Sequence, residues 1–261
     1  MQTDRLSLSP LASRVEEVCL NAWPALQEIH YDGWLIRLAD GQTRRTNSVN
    51  AIGAGSRPLE EKIDYCEAIY RRHQLPACFR LLSTAAPDLG TALERRGYRS
   101  EGETRTLFMN FAEHPPPQAS VHAVETAHGA PTREWMSARA RFADLRADER
   151  SKVEKILQQL ALPALFAAVR EDGAIRSLAK GAVHDGIVCL NMVATDPAHL
   201  RRGFSRSCLT AILRWASEKH GARGACLQVE AGNASAIRLY EGLGFADELY
   251  RYDYRIREFC S

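Results

Sequence analysis

Residues 227–245 read LQVEAGNASAIRLYEGLGF, and this stretch carries the strongest structural signal in the chain. The apolar, β-forming residues of Ala225 to Glu230 predict a strand. Asn233 is a good N-cap, and the residues from Asn233 to Glu241 predict a short helix. A final strand is predicted at Tyr250 to Ile256, where polar and apolar residues alternate. This order of elements favours an α/β fold.

Immediately upstream, residues 193–209 (VATDPAHLRRGFSRSCL) predict a strand that runs through a loop into a helix at Phe204 to His220. Arg201, Arg202 and Gly203 lie in the loop just before this helix. The first N–H groups of a helix lack internal partners and carry partial positive charge, and glycine lets an anion approach the backbone closely. The loop therefore suits a pyrophosphate, with a solvated loop as the alternative reading.

The residues before this loop predict helices followed by a meander of strands. Helices are expected within Arg133 to Leu162, and strands at Leu165 to Val169, Ile175 to Val183 and Ile187 to Ala194. The Asp-Gly pairs between these strands are typical of hairpin turns. A short strand is also predicted at Val121 to Glu125.

Together, the loop and the stretch that follows it resemble the two signature segments of the GNAT acetyltransferase superfamily. The family pattern N-x-x-A-x-x-L-Y-E-x-L-G-F is met at Asn233, Ala236, Leu239, Tyr240, Glu241, Leu243, Gly244 and Phe245. The upstream pattern Q/R-x-x-G-x-G/A is met strictly only at Gly203, because Leu200 and Ser205 occupy its first and last positions. The resemblance covers Val121 to Ile256 and implies an α/β (α+β) fold, with a mixed central sheet splayed near its middle and flanked by helices.

The resemblance also implies where acetyl-CoA, the acyl donor, would bind. Its pantetheine arm would lie in the splay and pair with the backbone of Met192, Val193, Ala194 and Thr195. Its pyrophosphate and arm would be lined by Arg201, Arg202, Gly203, Phe204, Ser205, Arg206, Asn233 and Ala236. Tyr240 would lie near the thioester sulfur, where a protonated phenol of ordinary pKa can act as general acid toward the departing thiolate. Taken singly, Tyr240 would be read as a core tyrosine and Asn233 as a helix cap.

A general base for the incoming amine is harder to locate. The strand at Ile187 to Ala194 holds no carboxylate, and Asn191 and Cys189 are its only polar or ionisable side chains. Glu230, at the end of the next strand, is the nearest carboxylate candidate, although a solvated strand end has the same pattern. We therefore expect deprotonation through a water molecule ordered by Asn191 or Glu230.

The expected activity is direct transfer of an acetyl group to the primary amine of a small molecule or peptide. A backbone N–H of Val193 or Ala194 is the expected donor to the oxyanion. The alternative is a catalytically silent acyl-CoA-binding sensor or scaffold, motivated by the absent base and the imperfect loop. The identity of the acceptor and the choice of acetyl over a longer acyl group are left open.

The first part of the chain predicts a shorter series of similar elements. Three consecutive prolines favour an extended linker at 113–119, which divides the chain into 1–112, an incomplete GNAT-like domain, and 120–261, a complete one. The elements predicted before the linker are strands at Trp34 to Leu38, Thr46 to Ile52, Cys78 to Leu82 and Thr106 to Phe111, and helices at Leu59 to His73 and Asp88 to Arg96.

The closest local echo between the halves sets ALERRGY against RLYEGLGF. In this alignment Leu93 occupies the position of Tyr240, and Ala86 that of Asn233, so one cofactor per chain is expected. The stretch GWLIRLADGQTRRTNSV resembles a motif of two-domain members whose first domain walls off the acceptor pocket. Its candidates for substrate contact are Trp34, Arg45 and Asn47, together with Arg37, Thr43 and Ser48, and the alternative is one solvated face of a sheet.

Composition limits the other classes of function. The 261 residues have a formal net charge of +2, which provides no strong field for nucleic acid or a membrane. No apolar run has the length of a signal peptide or membrane span, so we expect a cytoplasmic protein. The seven cysteines are scattered without metal-ligand spacing, so we expect reduced thiols and no metal. The exposed edge of the last strand could pair between chains or be covered by the first domain, and a monomer is slightly favoured.

Overall fold

The structure, a computed structural model, describes residues 8–259. The helices are α1 (Pro10–Ala22), α2 (Leu59–Arg72), α3 (Pro87–Arg95), α4 (Arg133–Phe142), α5 (Ala147–Gln158), α6 (Phe204–His220) and α7 (Ala234–Glu241). The strands are β1 (Gln27–Tyr31), β2 (Trp34–Leu38), β3 (Val49–Ala51), β4 (Ala77–Leu82), β5 (Arg99–Asn110), β6 (Glu125–His128), β7 (Ala164–Glu171), β8 (Ala174–His184), β9 (Ile187–Thr195), β10 (Gly224–Glu230) and β11 (Asp247–Arg257). A mixed sheet flanked by helices confirms the predicted fold class.

All of these strands belong to one sheet, in the order β1-β2-β3-β4-β11-β5-β10-β9-β8-β7-β6. β11, from the second half of the chain, lies between β4 and β5 of the first half and is antiparallel to both. β5 in turn pairs with β10 of the second half. The halves therefore exchange their last strands. Of the two alternatives for the edge of the last strand, the structure shows cover by the first half, because β11 is hydrogen-bonded to β4 on one side and to β5 on the other.

The predicted internal repeat is visible in the backbone that follows α3 and α7. The Tyr98 N–H donates to the Leu93 carbonyl over 3.1 Å, and the Phe245 N–H donates to the Tyr240 carbonyl over 3.1 Å. Each bond closes the C-terminal end of its helix before the last strand of its half begins. Leu93 and Tyr240 thus occupy matching places in two similar backbones.

The proline-rich segment adopts neither helix nor strand, since residues 111–124 lie between β5 and β6. β6 begins at Glu125, so the strand predicted from Val121 is displaced toward the C-terminus. Because both halves contribute to one sheet, the division into 1–112 and 120–261 remains a proposal about the repeat in the sequence. It is not a break in the sheet.

Helix α1 is an element that the sequence analysis missed. The Ser9 hydroxyl accepts from the Ala12 N–H over 3.2 Å, and Pro10 occupies the first turn, which are two recognisable start signals. The helix buries Val15 and Val18 against β8, β9 and β10. By position α1 lies in the first half, yet it packs on strands of the second.

Alternation along β9 separates the two faces of the sheet in the second half. Ile187 and Cys189 pack in a cluster with α1, α4 and α5, which we call the α1/α4 face. Val188 and Leu190 pack in a second cluster with α6 and α7, which we call the α6/α7 face. A third cluster joins α2 and α3 to β2, β3 and β4. Among the described residues, no helix has both the length and the apolar character needed to cross a bilayer.

Candidate active site

Strands β9 and β10 separate near the middle of the sheet. They pair in parallel from Ile187 with Gly224 to Leu190 with Leu227, and their register ends there. Beyond that point β9 remains paired with β8, and β10 remains paired with β5. The facing edges of β9 and β10 therefore border a gap in which their backbone N–H and C=O groups need other partners.

A β-bulge shapes the part of β9 that borders the gap. Met192 has a φ of 55°, and the register with β8 shifts between the pairs Leu178–Ala194 and Lys180–Asn191. A residue other than glycine is uncommon in this left-handed region, so the surrounding pairing must hold the bulge in place. The bulge lies within the segment predicted to pair with the pantetheine arm.

The N-terminus of α6 opens toward the same gap. Gly203 is the N-cap, with a φ of 80°, and no side chain caps the helix. This conformation favours glycine, because an L side chain would be strained there even though an added Cβ would meet only His122 Nε2, at 3.7 Å. The N–H groups of Phe204, Ser205 and Arg206, in the first turn, are therefore available to an anion.

Three hydroxyl groups fasten this helix end to the sheet. The Ser205 and Thr195 hydroxyls lie 2.5 Å apart, and the Ser177 hydroxyl lies 2.9 Å from that of Thr195. Ser177 also donates to the Ala194 carbonyl over 3.1 Å. These bonds join α6, β9 and β8, so the helix terminus and the bulged strand hold a fixed relative position.

The three arginines predicted at the pyrophosphate have different environments. Both terminal nitrogens of Arg202 donate to the Glu171 carboxylate over 2.6 Å, and Arg206 donates to the Gly242 carbonyl over 2.6 Å. Arg201 is exposed and borders the cavity. Within the described residues, Arg201 forms no ion pair. Arg202 and Arg206, in contrast, fasten the loop and the first turn of α6 to neighbouring residues.

The helix α7 presents the downstream motif to the gap. The Asn233 side chain caps α7 by accepting from the Ala236 N–H over 3.0 Å, and both residues border the cavity. Tyr240 is 7% exposed, and burial raises the pKa of its phenol to about 12. The expectation of an ordinary pKa is corrected upward, so the phenol is a proton donor throughout the neutral range.

These elements enclose a single cavity of about 1660 Å³. The predicted residues that border it are Asn191, Met192, Val193, Ala194, Thr195, Arg201, Arg202, Gly203, Phe204, Ser205, Arg206, Glu230, Asn233, Ala236, Tyr240 and Arg45. The structure therefore brings together every residue predicted for the cofactor or the chemistry, although they come from four separate elements and their loops.

Polar groups in the gap lack partners of their own. Both amide atoms of Asn191 and the Nε2 atom of Gln228 are buried without a hydrogen-bond partner within the described residues. A buried polar group without a partner is costly, so these atoms indicate a place for a polar ligand or water. Glu230 is exposed at the edge of the same cavity.

The predicted substrate contacts of the first half do not all reach the cavity. Trp34 lies in the core against Phe79, with 5.9 Å between the ring centroids. Asn47 is buried, and its carboxamide donates to the Thr43 carbonyl over 2.8 Å, so it holds a loop instead. For Trp34 the physical reason is that every residue of β2 is buried, which leaves no cavity-facing side.

Arg45 and Thr43 do border the cavity, whereas Arg37 and Ser48 are fully buried. The sequence analysis passed over other residues that border it, namely Trp23, Arg139, Gln228, Tyr252 and Tyr254. The two tyrosines were visible in the alternation of the last strand. Nothing in their pattern distinguished a cavity from a core, because the strand exchange that brings them to the cavity leaves no local signal.

Two further groups on the α1/α4 face were not expected. Lys180 is fully buried and its ammonium donates to the Ala22 carbonyl over 2.6 Å; burial lowers its pKa to about 7. The thiols of Cys19, Cys189 and Cys226 lie within 4.8 Å of one another, so these cysteines are not scattered in space. Three thiols at this spacing could ligate a soft metal ion. Burial raises the pKa of the Cys226 thiol, whereas hydrogen bonds with the Cys19 and Cys226 thiols lower the pKa of Cys189.

Solved structures share this architecture over nearly the whole chain. A GCN5-related N-acetyltransferase from Kribbella flavida superposes with a TM-score of 0.70 at 18% identity, covering 96% of each chain. A tandem GNAT protein from the clavulanic acid biosynthesis pathway superposes with a TM-score of 0.65 at 12% identity, covering 82% of this chain and 76% of that one. A splayed mixed sheet beside a glycine-capped helix is the fold of this class, and the protein is an acetyltransferase of the GNAT superfamily.

Within that class the chain belongs to the family described as "Probable histone acetyltransferase Rv0428c C-terminal", whose model matches residues 13–255. An uncharacterized N-acetyltransferase of Bacillus subtilis, YobR, is 22% identical over 254 residues, which cover 94% of this chain and 98% of that protein. The ribosomal protein bS18-alanine N-acetyltransferase of Escherichia coli is 40% identical over 62 residues, 24% of this chain and 41% of that enzyme.

Proposed function

We propose that the protein transfers the acetyl group of acetyl-CoA directly to a primary amine bound in the cavity between β9 and β10. One observation carries the proposal: the gap between these strands, the N-terminus of α6 and the Tyr240 phenol all border one cavity. A catalytically silent acyl-CoA sensor would have no need of a buried proton donor at that place.

The residues fit an acyl-CoA. The free N–H groups that follow Gly203, with Arg201 beside them, suit the pyrophosphate. The unpaired edge of β9 from Met192 to Thr195 suits the amides of the pantetheine arm, which can add to a strand edge. Asn233 and Ala236 line the same passage from α7. When bound, the cofactor supplies a thioester.

The chain's own groups then direct the transfer. The new bond joins the amine nitrogen to the acetyl carbon, and the bond from that carbon to sulfur breaks. A backbone N–H of Val193 or Ala194, next to the bulge, donates to the carbonyl oxygen as negative charge develops on it. The Tyr240 phenol donates its proton to the departing sulfur, and its raised pKa keeps that proton available.

Deprotonation of the amine passes through water in this proposal. The unpartnered amide of Asn191 provides a donor and an acceptor inside the cavity, which suits it to hold a water molecule. Glu230, exposed at the cavity edge, is the carboxylate to which the proton can pass. We further expect a cytoplasmic protein. We also expect it to be a monomer, because the tandem halves substitute for a dimer.

The test is a calorimetric titration of acetyl-CoA followed by an assay of amine-dependent thiol release. Ala236→Phe fills the passage beside Asn233, whereas Ala246→Phe changes an exposed alanine outside the cavity and is the matched control. We expect binding to be lost only in Ala236→Phe. Binding without thiol release on any amine would favour the sensor, and absence of binding in the wild type would contradict the cofactor assignment.

A further inference from the structure

The cavity has an unbalanced charge. Among residues 8–259, seven arginines border it, against one carboxylate, that of Glu230, which is exposed. The chain as a whole has a formal net charge of only +2, so this excess is local. A concave site lined by one sign of charge concentrates ligands of the opposite sign.

Part of the excess positive charge is explained by binding of the acyl donor. Arg201, Arg202, Arg206 and Arg238 lie in the loop before α6, in α6 and in α7, so they belong to the α6/α7 face. The phosphates of acetyl-CoA account for positive charge at that place. They do not account for the arginines on the other face of the sheet.

Arg45 is on the α1/α4 face. The ionisable groups that act on its guanidinium include the Tyr252 and Tyr254 phenols and the Cys19 and Cys189 thiols, all of which belong to the cluster of that face. Cys189 lies near the start of β9, whereas the N-terminus of α6 is fastened to Thr195, at the end of β9, through Ser205. Among the described residues no carboxylate forms an ion pair with Arg45.

Arg139 lies on α4 and borders the same cavity. Its Nε atom is buried without a hydrogen-bond partner in the described part of the chain. Burial lowers the pKa of this guanidinium, and no neighbouring anion counteracts that effect. Arg44, nearby in sequence to Arg45, is different, because it pairs with Glu101 over 2.6 Å.

We infer that the acceptor is an amine that also carries an oxyanion, a carboxylate or a phosphate, bound by Arg45 and Arg139 on the α1/α4 face. The inference rests on the proposed acetyl transfer and specifies its substrate class. The planar fork of a guanidinium matches such an oxyanion in a bidentate manner. The same charge disfavours polyamines and other acceptors whose charge is only positive, since the cavity offers them no interior carboxylate.

Two faces then serve two substrates. The donor enters along the α6/α7 face and the acceptor along the α1/α4 face, and they meet in the gap between β9 and β10. Both amide atoms of Asn191 and the Nε2 atom of Gln228, which have no partner among the described residues, lie in that gap and can orient the acceptor amine. The first half of the chain contributes Arg45, so it takes part in acceptor recognition through this side chain.

The substrate class is tested with trideuteroacetyl-CoA and a protein-free bacterial metabolite extract, with labelled products identified by mass spectrometry. We expect labelled products whose parent amines carry a carboxylate or a phosphate, and the product masses distinguish these two. Labelled products from neutral or purely cationic amines would overturn the inference and leave the acetyl transfer intact. Retained acetyl-CoA binding with no labelled product would contradict the proposed transfer itself, and the inference with it.

Pairs of amines with and without the oxyanion measure the contribution of that group to the KM. Lysine is compared with cadaverine, tyrosine with tyramine, and phosphoethanolamine with ethanolamine, together with any acceptor found in the extract and its analogue without the oxyanion. We expect a lower KM for the anionic member of a productive pair. Equal KM values within every productive pair would overturn the inference.

Variants of Arg45 and Arg139 test whether these two arginines bind the oxyanion of the acceptor. Arg45→Gln and Arg139→Gln should raise the KM for the anionic acceptor about ten- to hundredfold, and leave the KM for acetyl-CoA unchanged. Arg45→Lys should recover part of the loss. Arg133→Gln, an exposed position on the same helix as Arg139, is the control and should behave as the wild type. A raised KM for acetyl-CoA with an unchanged KM for the acceptor would overturn the assignment.

Discussion

Helices α3 and α7 end in the same way but carry different chemistry. Each is followed by a left-handed glycine, Gly97 or Gly244, and by equivalent backbone hydrogen bonds. Where α7 has Tyr240, α3 has Leu93, which is fully buried. At the start of α3 the N-cap is Ala86, which makes no side-chain bond. The backbone of the repeat is therefore kept in the first half without the side chains that we propose to act on the thioester.

The loops before α2 and α6 differ in a second way. In the first half the Asp32 carboxylate accepts from the N–H groups of Ser56 and Arg57, each over 2.9 Å. The Lys62 ammonium lies 3.2 Å from the same carboxylate. A side chain of the protein thus occupies the place of an anion there, whereas the N–H groups after Gly203 are open. One cofactor per chain remains our proposal, and this contrast supports it.

The largest effect that would sharpen the comparison is at Tyr240. Tyr240→Phe leaves an inert ring at position 240, which is equivalent to Leu93 in the first half. We expect kcat to fall about a hundredfold or more, because the leaving sulfur loses its proton donor. Acetyl-CoA affinity should be unchanged by calorimetry. Tyr65→Phe, at a partly exposed phenol far from the cavity lining, is the control. An unchanged kcat would remove Tyr240 from the chemistry.

The next effect concerns the cations buried in β2 and β8. Arg37 is paired with Glu28 over 3.0 Å and also donates to backbone carbonyls, whereas Lys180 donates to the Ala22 carbonyl. Burial lowers the pKa of Lys180 from 10.5 to about 7, so between these values the unfolded chain binds a proton that the folded chain has released. Stability from this group therefore rises with pH across that window.

Lys180→Met should remove that dependence. We expect the variant to be more stable than the wild type near pH 7, by on the order of a few kcal/mol, with the difference shrinking toward pH 10. Chemical denaturation at several pH values measures it, with Lys219→Met, an exposed change at the end of α6, as the reference. Parallel stability curves for wild type and Lys180→Met would show that Lys180 stays charged in the fold.

A smaller effect is expected from neutralising Asp32, whose carboxylate accepts from the N–H groups of the loop before α2. Hydrogen bonds from the Ser56 and Arg57 N–H groups lower the pKa of Asp32 below its ordinary 3.8, so its stabilisation is present above that pH and is lost as the pH falls further. Asp32→Asn should lower the melting temperature at pH 7 and flatten its decline in acid. Because asparagine tolerates the positive φ of this position, the change reports the charge. Asp88→Asn is the control and should change neither the melting temperature at pH 7 nor its decline in acid.

The smallest effect should come from the phosphate loop of the second half. Arg201→Gln removes an exposed charge beside the free N–H groups, and we expect a Kd for acetyl-CoA about two- to fivefold higher, with a weaker dependence on salt. Calorimetry at two ionic strengths measures this. Arg214→Gln, exposed on α6 and paired with Glu218, should have no effect. An unchanged Kd in Arg201→Gln would mean that the backbone alone holds the pyrophosphate, and an equal loss in both variants would indicate a general effect of net charge.

Local patterns predicted the elements that carry the donor site. The bounds of α6 coincide with its predicted range, and the spacing from Asn233 to Tyr240 placed both residues on the cavity. Such signals are short-range: a cap, a glycine, and apolar residues on one helix face. The strong part of the prediction therefore lies where the chemistry depends on consecutive residues.

Long-range pairing could not be predicted in this way. The alternation of Tyr250 to Ile256 indicates a strand with two different faces, but it does not say that the neighbours are β4 and β5. Arg139 reads as a polar residue of an amphipathic helix until the packing of α4 against β8 and β9 brings it to the cavity. Trp34 was misassigned for the same reason, because burial of both faces of β2 is a tertiary property.

The exchange of last strands also bears on why the first half persists. A domain that has lost its chemistry can be deleted when its boundary crosses few contacts, but here β5 supplies the edge on which β10 closes, and β11 closes on β4. Deletion of the first half would leave β11 without either neighbour and expose the outer edge of β10. The first half is thus a structural component of the sheet that carries the candidate active site, which is a reason for the two halves to persist together.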